Sequence, residues 1–315
     1  MVVDGSGHEP VMVDEVLRFL GGRGTVVDLT LGAGGHAEAL LASGVRRLIG
    51  VDRDADAISI ASGRLARFGE RFVAVRARFS QVPVENRVDG VLYDLGVSSI
   101  QLERPERGFS FRQSGPLDMR MDRAAPGEEA RTDAASEPGR EEAPDEAREE
   151  RREPSAMELV NSAPEDELAR VIYEFGEERR SRRVAAAIVR ARQRKRIETT
   201  EELAGIVVSA VGGRRGGPHP ARRTFQALRI AVNRELEELS ASLPRAVGTL
   251  APGGRVVVIA YHSLEDRIVK RFFAGEERLT VLTKKPIAPS PEEAARNPRS
   301  RSAKLRAAEL VAEAA

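Results

Sequence analysis

The chain has 315 residues, of which 41% are hydrophobic, so it can bury the core of one large domain or two ordinary ones. It has no cysteine, which excludes disulfides, thiolate zinc sites, iron–sulfur clusters and a covalent cysteine nucleophile. The formal net charge is +1, but residues 124–155 carry 11 acidic residues and five arginines, which leaves the rest of the chain basic. A basic body favours an anionic partner such as nucleic acid, although an arginine-rich soluble surface explains it equally well.

The sequence contains no signal for entry into a membrane. No segment approaches the roughly 18 consecutive apolar residues of a membrane-spanning helix. Residues 1–10 lack the basic start and apolar run of a secretory signal. We therefore predict a cytoplasmic location and no membrane partner.

The first third of the chain alternates strand-like and helix-like segments. Runs of β-branched and apolar residues predict strands at residues 25–30, 47–51, 72–75 and 90–95. Helix-forming composition and apolar spacing predict helices at residues 36–43 and 54–68. Strands that alternate with helices indicate an α/β fold with a parallel sheet covered on both faces.

Residues 124–155 differ in composition from the segments on either side. They contain no Val, Ile, Leu, Met, Phe, Tyr or Trp. Such a segment cannot bury enough apolar area to offset the entropy lost when it becomes ordered. We predict a disordered acidic insertion and assign no chemistry to it.

A helical block follows before the α/β pattern returns. Helices are predicted at residues 164–175, 181–196 and 200–211, the last with Thr200 as its N-cap. The block predicts an inserted helical subdomain at residues 103–215. The remainder, residues 1–102 and 216–315, is expected to form the α/β domain.

The pattern of the last hundred residues predicts a return to the sheet. A long amphipathic helix is expected at residues 224–243 and a buried strand at 255–261. A helix is expected at residues 263–273, with Ser263 in the capping position. The tail from Pro286 is rich in Pro, Ser and Arg, so we expect it to cross the surface.

The first predicted strand runs into a glycine-rich turn, residues 32–35, that opens a helix. Glycines in such a turn let a ligand approach the backbone, and N–H groups at the helix start face it. Asp52 ends the second strand, 24 residues after Asp28, where a carboxylate can accept both hydroxyls of an adenosine ribose. The same pattern fits a nicotinamide enzyme or a purely structural turn.

Two details of this turn favour S-adenosylmethionine over a dinucleotide. The glycines follow G-x-G-G rather than G-x-G-x-x-G. Asp28 also lies inside the first strand, where it can reach the amino group of the ligand, whereas it would repel a pyrophosphate. We therefore predict S-adenosylmethionine as the cofactor.

Three further polar residues stand at positions typical of a ligand site. Asp94 ends the fourth strand, and ligands of open parallel sheets bind beyond the carboxyl ends of the strands. His36 starts the first helix after the turn, and His262 follows the last core strand. Each also has a structural explanation, such as a helix N-cap. The four histidines of the chain lack metal-ligand spacing, so we predict no metal.

Two segments are rich in basic residues. Residues 179–196 contain nine in 18. The tail adds a second cluster, which consists of Arg296, Arg299, Arg301, Lys304 and Arg306. Such clusters are suited to phosphate contacts, whereas a solvated helix face is the alternative explanation for any single arginine.

Longer motifs make the chain resemble a known family, the ribosomal RNA small subunit methyltransferase H family, also called MraW. The matching stretches are HEPV at 8–11, the glycine turn through His36, GVDRD at 50–54, DLGVSSIQL at 94–102, RGFSF at 107–111, PLDMRMD at 116–122, YEFGEER at 173–179, HPARRTFQALRIAVN at 219–233, HSLEDRIVK at 262–270 and NPRSRSAKLR at 297–306. These motifs are long and distinctive. They cover nearly the whole chain apart from the acidic insertion.

The resemblance implies a class I, Rossmann-like methyltransferase fold with an inserted helical domain for substrate recognition. It implies N4-methylation of a decoding-site cytosine in 16S ribosomal RNA, and it favours the assembled small subunit over free RNA. In that family the cofactor is held by the residues that stand here as Gly34, Gly35, His36, Asp52, Phe79, Asp94 and Gln101. Phe79 is then an adenine-packing residue, although its context alone indicates a core phenylalanine. The sequence carries no signal for oligomeric state, and a homodimer is compatible with it.

The chain departs from the family pattern at a few positions. Ala260-Tyr261 stands before His262 where the family usually has Ser-Phe. Arg222 replaces a threonine and Ala37 replaces a serine. These changes leave the resemblance intact, but they argue against specific roles for the hydroxyl groups that are missing here.

The expected chemistry is an in-line methyl transfer, for which the enzyme aligns donor and acceptor and excludes water. A cytosine amine is a poor nucleophile because its lone pair is delocalised into the ring. We predict that Asp94 or its neighbouring backbone accepts an N–H of the amine, while His262 orients the base or takes a proton. The base would be turned out of its stack to reach the methyl group.

Other functions remain open on the sequence alone. Methylation of cytosine at C5 needs a thiolate, and the absence of cysteine excludes it. The alternatives are a methyltransferase for another nucleic acid or for protein, a nicotinamide-dependent oxidoreductase, and a non-catalytic ribosome-assembly factor.

Overall fold

The computed structural model describes residues 9–81, 87–122, 153–212, 217 and 219–311. The chain divides into two compact units. The sheet unit comprises Met1–Ser99 and Leu236–Ala315, and the helical unit comprises Ile100–Glu235. The second boundary lies 20 residues beyond the one expected from the sequence, so the segment from 216 to Glu235 belongs to the helical unit.

The sheet unit is built on a seven-stranded sheet. Its strands are β1 (Thr25–Asp28), β2 (Arg47–Asp52), β3 (Phe72–Arg76), β4 (Val88–Asp94), β5 (Leu250–Ala260), β6 (Leu279–Val281) and β7 (Lys304–Leu310). Their order across the sheet is β3-β2-β1-β4-β5-β7-β6. Strands β1 to β5 run parallel, which confirms the predicted α/β class, whereas β7 pairs antiparallel with both β5 and β6.

Helices occur in both units. The sheet unit contains α1 (Val13–Leu20), α2 (Gly35–Ala42), α3 (Ala55–Leu65), α10 (Glu235–Thr249), α11 (Ser263–Gly275) and α12 (Pro291–Arg296). The helical unit contains α4 (Ser99–Glu103), α5 (Ala156–Ser162), α6 (Glu165–Gly176), α7 (Ser181–Arg192), α8 (Thr200–Val211) and α9 (Arg222–Asn233). In the described part of the chain, no helix combines the length and apolar character that crossing a membrane requires.

The sheet is buried on both faces, which explains its nearly continuous apolar strands. Val26 and Leu92 point into one core with side chains of α1, α2 and α3. Val27 and Tyr93, the next residues along, point into a second core with side chains of α10 and α11. Because both faces are covered, polar side chains reach a ligand only beyond the strand ends.

The helix predicted at residues 224–243 is two helices. Arg234, between α9 and α10, adopts a left-handed backbone conformation with φ of 48°. The chain turns there, so the apolar residues of the two helices enter different cores. Leu228 is buried in the helical unit, and Leu239 belongs to a core of the sheet unit. The helical spacing of apolar residues continues across the turn, so the sequence did not reveal the break at Arg234.

Two predicted N-caps are displaced by one residue. The cap of α8 is Thr199 rather than Thr200, and the cap of α11 is His262 rather than Ser263. In each case the side chain of a glutamate three residues later accepts a hydrogen bond from the backbone N–H of the cap residue. The spacing to that glutamate is what fixes the helix start.

The predicted disordered insertion, residues 124–155, falls largely outside the described residues. Its last residues do not fit the prediction. Ser155 is buried and caps α5 by accepting a hydrogen bond from the N–H of Glu158. The apolar-free composition therefore extended the predicted insertion too far, to Ser155. This serine belongs to the helix, because it is the N-cap of α5.

The tail does more than cross the surface as expected. Residues Lys304–Leu310 form β7, which lies between β5 and β6 in the sheet. Leu305, Ala307 and Ala308 are fully buried. Small and basic residues between these positions hid the strand, because the arginine-rich composition of the tail resembles that of a loop.

Candidate active site

Three aspartates end three neighbouring strands. Asp28 ends β1, Asp52 ends β2 and Asp94 ends β4. Strand β1 lies between the other two and is parallel to both. The three carboxyl groups therefore stand at the carboxyl edge of the sheet, where open α/β sheets bind their ligands.

Asp52 is held by the backbone on both of its oxygens. Oδ2 accepts the N–H of Gly32 at 2.9 Å, and Oδ1 accepts the N–H of Asp54 at 2.9 Å. Burial raises the pKa of Asp52 to about 6, although both backbone hydrogen bonds oppose that rise. Each oxygen keeps a lone pair, so the fixed carboxyl can accept a pair of hydroxyl groups.

Asp28 has one satisfied oxygen and one orphan. Oδ1 accepts the N–H of Thr30 at 3.1 Å. Oδ2 is buried and has no hydrogen-bond partner in the structure as described. Burial raises the pKa of this carboxyl, and the nearby His36 opposes the rise. A buried oxygen without a partner costs free energy unless a ligand supplies a donor.

Asp94 is surrounded by groups from several elements. Its Oδ1 accepts the hydroxyl hydrogen of Tyr261 at 2.7 Å, and its backbone N–H donates to Oγ1 of Thr30 at 2.6 Å. Its Oδ2 lies 3.6 Å from Nδ1 of His36, which is beyond hydrogen-bond distance. Burial raises the pKa of Asp94, whereas His36 and Tyr261 counteract this.

His36 is buried at the start of α2 and is oriented by the backbone. Its Nε2 lies 2.8 Å from the carbonyl oxygen of Val11 and donates to it. In the neutral ring Nδ1 then carries no proton, and this nitrogen faces Asp94. The structure thus brings two of the predicted site residues, His36 and Asp94, together.

The glycines of the turn are required by the protein's own packing. A Cβ on Gly35 would lie 2.5 Å from Cγ of Pro10. A Cβ on Gly34 would lie 3.2 Å from Cβ of Ala61, and its φ is 80°. A Cβ on Gly32 would make only ordinary contacts, at 3.9 Å from Cβ of Ser98 and from the carbonyl oxygen of Thr30, and its φ is 51°. Packing therefore requires glycine at Gly34 and Gly35, and the backbone conformation favours it at Gly32. The expected contact of this turn with a ligand stays a prediction.

Phe79 and Gln101, the other two residues carried over from the family, lie in different units. Phe79 packs edge-on against Tyr93, with ring centroids 5.8 Å apart, and is only partly buried. It therefore combines a core contact with an accessible surface. Gln101 is buried on α4 within the helical unit.

His262 makes its contacts with α11. Nδ1 accepts the N–H of Glu265 at 3.4 Å, and Nε2 lies 3.0 Å from Oε1 of Glu265. The alignment of that second contact is not that of a hydrogen bond, which leaves Nε2 without such a partner among the described residues. The first contact assigns the proton of a neutral ring to Nε2.

Sequence reasoning missed two side chains of this site. Tyr261 was noted only as a departure from the family pattern, yet its hydroxyl binds Asp94. Thr30 accepts the backbone N–H of Asp94, and its own N–H binds Asp28. A polar residue within two positions of the end of a buried strand was the available signal for both. His8, part of a family motif, lies outside the described residues.

The site can accommodate the predicted cofactor. The orphaned oxygen of Asp28 suits an ammonium group, and the lone pairs of Asp52 suit ribose hydroxyls. A sheet with this strand order and carboxylates at the ends of β1, β2 and β4 defines a class I methyltransferase, whose methyl donor is S-adenosylmethionine.

Comparison with known proteins narrows this class. Residues 5–132 and 142–311 match the model of the MraW methylase family, and the chain belongs to that family. Ribosomal RNA small subunit methyltransferase H of Carboxydothermus hydrogenoformans is 44% identical, over 96% of this chain and 98% of the relative. Proteins of the same name from Methylobacterium sp. (strain 4-46) and Sorangium cellulosum are each 47% identical, over 98% of this chain and 92% of theirs.

Proposed function

We propose that this protein methylates the N4 amine of a decoding-site cytosine in 16S ribosomal RNA, with the assembled small subunit as the substrate. Relatives that are 44–47% identical over nearly the full chain carry the name of small-subunit ribosomal RNA methyltransferases. The observation that carries the chemistry is the Asp94 carboxyl, which has one oxygen bound to Tyr261 and the other without a hydrogen bond to His36.

Asp94 is the proposed acceptor for an N–H of the amine. The lone pair of a cytosine amine is delocalised into the ring, and a carboxylate that binds its hydrogen restores electron density to the nitrogen. Proton transfer to a positioned side chain typically contributes about 10²- to 10⁴-fold in rate. With no cysteine in the chain, attack through ring carbon C5 has no thiolate to start it.

His262 is the second proposed catalytic group. A neutral ring whose Nδ1 accepts a backbone N–H carries its proton on Nε2, so it can donate but not accept there. Of the two roles considered, orienting the base by donating a hydrogen bond is therefore the better supported. Taking a proton would require the other tautomer and the loss of the contact that caps α11.

The cofactor pocket is proposed to include, within the sheet unit, Gly34, Gly35, His36, Asp52, Phe79 and Asp94, together with Asp28, which the sequence already assigned to the amino group of the ligand. When bound, S-adenosylmethionine supplies a methyl group on a positively charged sulfur. Asp52 would hold the ribose and Phe79 the adenine, while Asp28 would receive the amino group. Gln101, in the helical unit, stays a prediction from the family resemblance.

The RNA-binding surface is proposed to lie on α7 of the helical unit and on the turn that follows it, where Arg194 stands. A groove of about 600 Å³ between α7 and α8 is lined by Arg183, Arg190 and Arg194. These three side chains are exposed, and no hydrogen bond or ion pair joins them to the described residues. Unpaired guanidinium groups on one face are suited to a phosphate backbone.

A neighbouring groove adds an aromatic side chain to this surface. Tyr173 on α6 is 60% exposed, and it lines this groove with Arg179, Arg182 and Arg183. An exposed ring beside arginines can stack with an unpaired base. The basic residues of the tail differ, because Arg296 binds Glu9 and Arg306 binds Asp266 within the protein.

The deciding experiment is mass spectrometry of ribosomal RNA after incubation with the purified protein and S-adenosylmethionine carrying a deuterated methyl group. Small subunits from cells that lack the enzyme, free 16S RNA, DNA and total protein serve as parallel substrates. We expect label on a single decoding-site cytosine of the small subunit, located on N4 by nucleoside fragmentation. Label on another nucleoside or macromolecule, or no label at all, contradicts the proposal.

A further inference from the structure

Tyr261 is fixed at three points. Its backbone N–H donates to Oε2 of Glu265 at 2.8 Å, and its hydroxyl donates to Oδ1 of Asp94 at 2.7 Å. Its ring packs against Gly96, where an added Cβ would lie 3.3 Å from Cδ2 of the tyrosine. The position of its hydroxyl group is therefore set by the fold rather than by a flexible side chain.

The hydroxyl of Tyr261 is a permanent donor. Burial, followed by the nearby charge of Asp94, raises the pKa of Tyr261 well above its ordinary value. The phenol therefore stays protonated across the range in which Asp94 changes its charge. It can donate to the carboxylate but cannot compete with it as a base.

This contact makes the two oxygens of Asp94 unequal. A carboxylate without such a bond has a broad range of orientations about its terminal torsion. Here Oδ1 is bound to Tyr261, and Oδ2 lies 3.6 Å from His36 without a hydrogen bond to it. The carboxylate therefore presents one defined oxygen.

We propose that Tyr261 is a positioning residue for methyl transfer: its hydroxyl holds Oδ1 of Asp94, so that Oδ2 is the oxygen presented to the acceptor amine. This rests on the role of Asp94 in the proposed function. A hydrogen bond to a carboxylate also favours its charged form, so the same contact keeps Asp94 ionised and able to accept a hydrogen.

Several other charged or titratable groups act on Asp94. They are Asp28 at the end of β1, His36 on α2 and Glu265 on α11. We expect each of them to keep its position when Tyr261 is replaced by phenylalanine, because phenylalanine keeps the ring that packs against Gly96. A change in the titration of Asp94 in this variant therefore reports the loss of the hydroxyl.

The first test follows the carboxyl of Asp94 by carbon-13 NMR in the full-length protein without cofactor, with Asp94→Asn used to assign the signal. In Tyr261→Phe we expect its titration midpoint to move up by about one pH unit, the scale of a hydrogen bond to a charged group. The acidic limb of the kcat profile should move by the same amount. We expect kcat to fall more than KM for S-adenosylmethionine changes.

Tyr93→Phe is the matched control. Tyr93 precedes Asp94 on β4, and its hydroxyl forms a buried hydrogen bond with Ser242 at 2.5 Å. Removal of that hydroxyl should leave the titration of Asp94 unmoved. If Tyr261→Phe folds and Asp94 titrates as in the wild type, the positioning role is refuted.

A second measurement keeps every tyrosine hydroxyl group in place. Replacement of the three tyrosines by 3-fluorotyrosine strengthens the donor, and we expect Asp94 to titrate at lower pH. An unchanged midpoint there also counts against the proposal. Full activity of Asp94→Asn would instead overturn the proposed function. Since that activity is measured in a different variant from Tyr261→Phe, failure of the proposed function can be distinguished from failure of the positioning role.

Discussion

The two units carry their functional charges in opposite ways. In the sheet unit, Asp52 and Asp94 are largely buried and bound to neighbouring groups, and burial raises the pKa of each. In the helical unit, the side chains of Arg183, Arg190 and Arg194 are exposed and make no hydrogen bond or ion pair within the described ranges. The carboxyl groups are held in place by hydrogen bonds within the protein, whereas the arginine side chains are surrounded by solvent.

This difference predicts which variable controls each surface. The energy of a buried carboxylate depends on its protonation and on the position of a few atoms. The energy of exposed guanidinium groups depends on ionic strength, because salt screens them and counterions are released on binding. Chemistry at the sheet edge should therefore respond to pH, and RNA binding on α7 should respond to salt.

The largest expected effect is that of Asp94→Asn, which removes the proposed acceptor while keeping its shape. We expect methyl transfer to fall about 10²- to 10⁴-fold. Single-turnover rates with saturating cofactor measure this directly, and the affinity for S-adenosylhomocysteine, measured by calorimetry, separates binding from chemistry. A rate equal to that of the wild type would contradict the proposed role of the Asp94 carboxylate.

The next largest effect concerns the exposed arginines of the helical unit. Replacement of Arg183, Arg190 and Arg194 together by Gln should weaken binding to small-subunit RNA on the order of 10- to 100-fold at 0.1 M salt. The slope of log K against log salt should fall in magnitude by roughly 2, since each phosphate contact contributes about 0.7 for single strands. Fluorescence anisotropy across a salt series provides both quantities.

Arg278→Gln is the control for one of these changes, Arg190→Gln. Both alter the net charge by the same amount, but the guanidinium of Arg278 already binds Glu276 at 2.8 and 2.9 Å. We expect only Arg190→Gln to reduce the salt slope. Equal slopes in the two variants would mean that net charge, rather than the α7 surface, controls binding.

A smaller effect concerns pH and cofactor affinity. Burial raises the pKa of Asp52 to about 6, and only the ionised carboxylate accepts both ribose hydroxyls. Affinity for S-adenosylhomocysteine should therefore be constant above this value and fall by up to about tenfold per pH unit below it. Asp52→Asn should bind weakly and with less dependence on pH. Calorimetry between pH 5 and 8 would contradict the assignment if the wild type showed no change.

The smallest effect is on stability. Arg190 lies in the last turn of α7, where a positive charge interacts favourably with the helix dipole. Arg190→Gln should lower the free energy of unfolding by about 0.3–1 kcal/mol at low salt. The loss should shrink in high salt, where screening weakens this interaction. Urea unfolding at two ionic strengths checks this, and a loss that persists unchanged in high salt would point to another cause.

Much of the fold could be predicted because its signals are local. Apolar runs interrupted by helical periodicity indicated β1 to β5 and their parallel arrangement. The end of each strand then indicated Asp52 and Asp94, since polar side chains of a doubly covered sheet reach a ligand only there. The helix break at Arg234 and the strand β7 had no comparable local signal.

The candidate site was predicted in part for the same reason. Positions after a strand can be read from the sequence, but the atoms that two such positions bring together cannot. The bond between Tyr261 and Asp94 joins residues 167 apart in the chain. The orphaned oxygen of Asp28 likewise appears only when all its neighbours are known.

The sequence by itself determined the α/β class, the family, the cofactor and the strand ends where the acidic residues stand. These follow from period, composition and motif, which are properties of short stretches of chain. Only the tertiary structure decided which oxygen of Asp94 is bound, which glycines are needed for packing and which arginines have no partner. Those are properties of contacts between distant segments, and distance and burial exist only once the chain has folded.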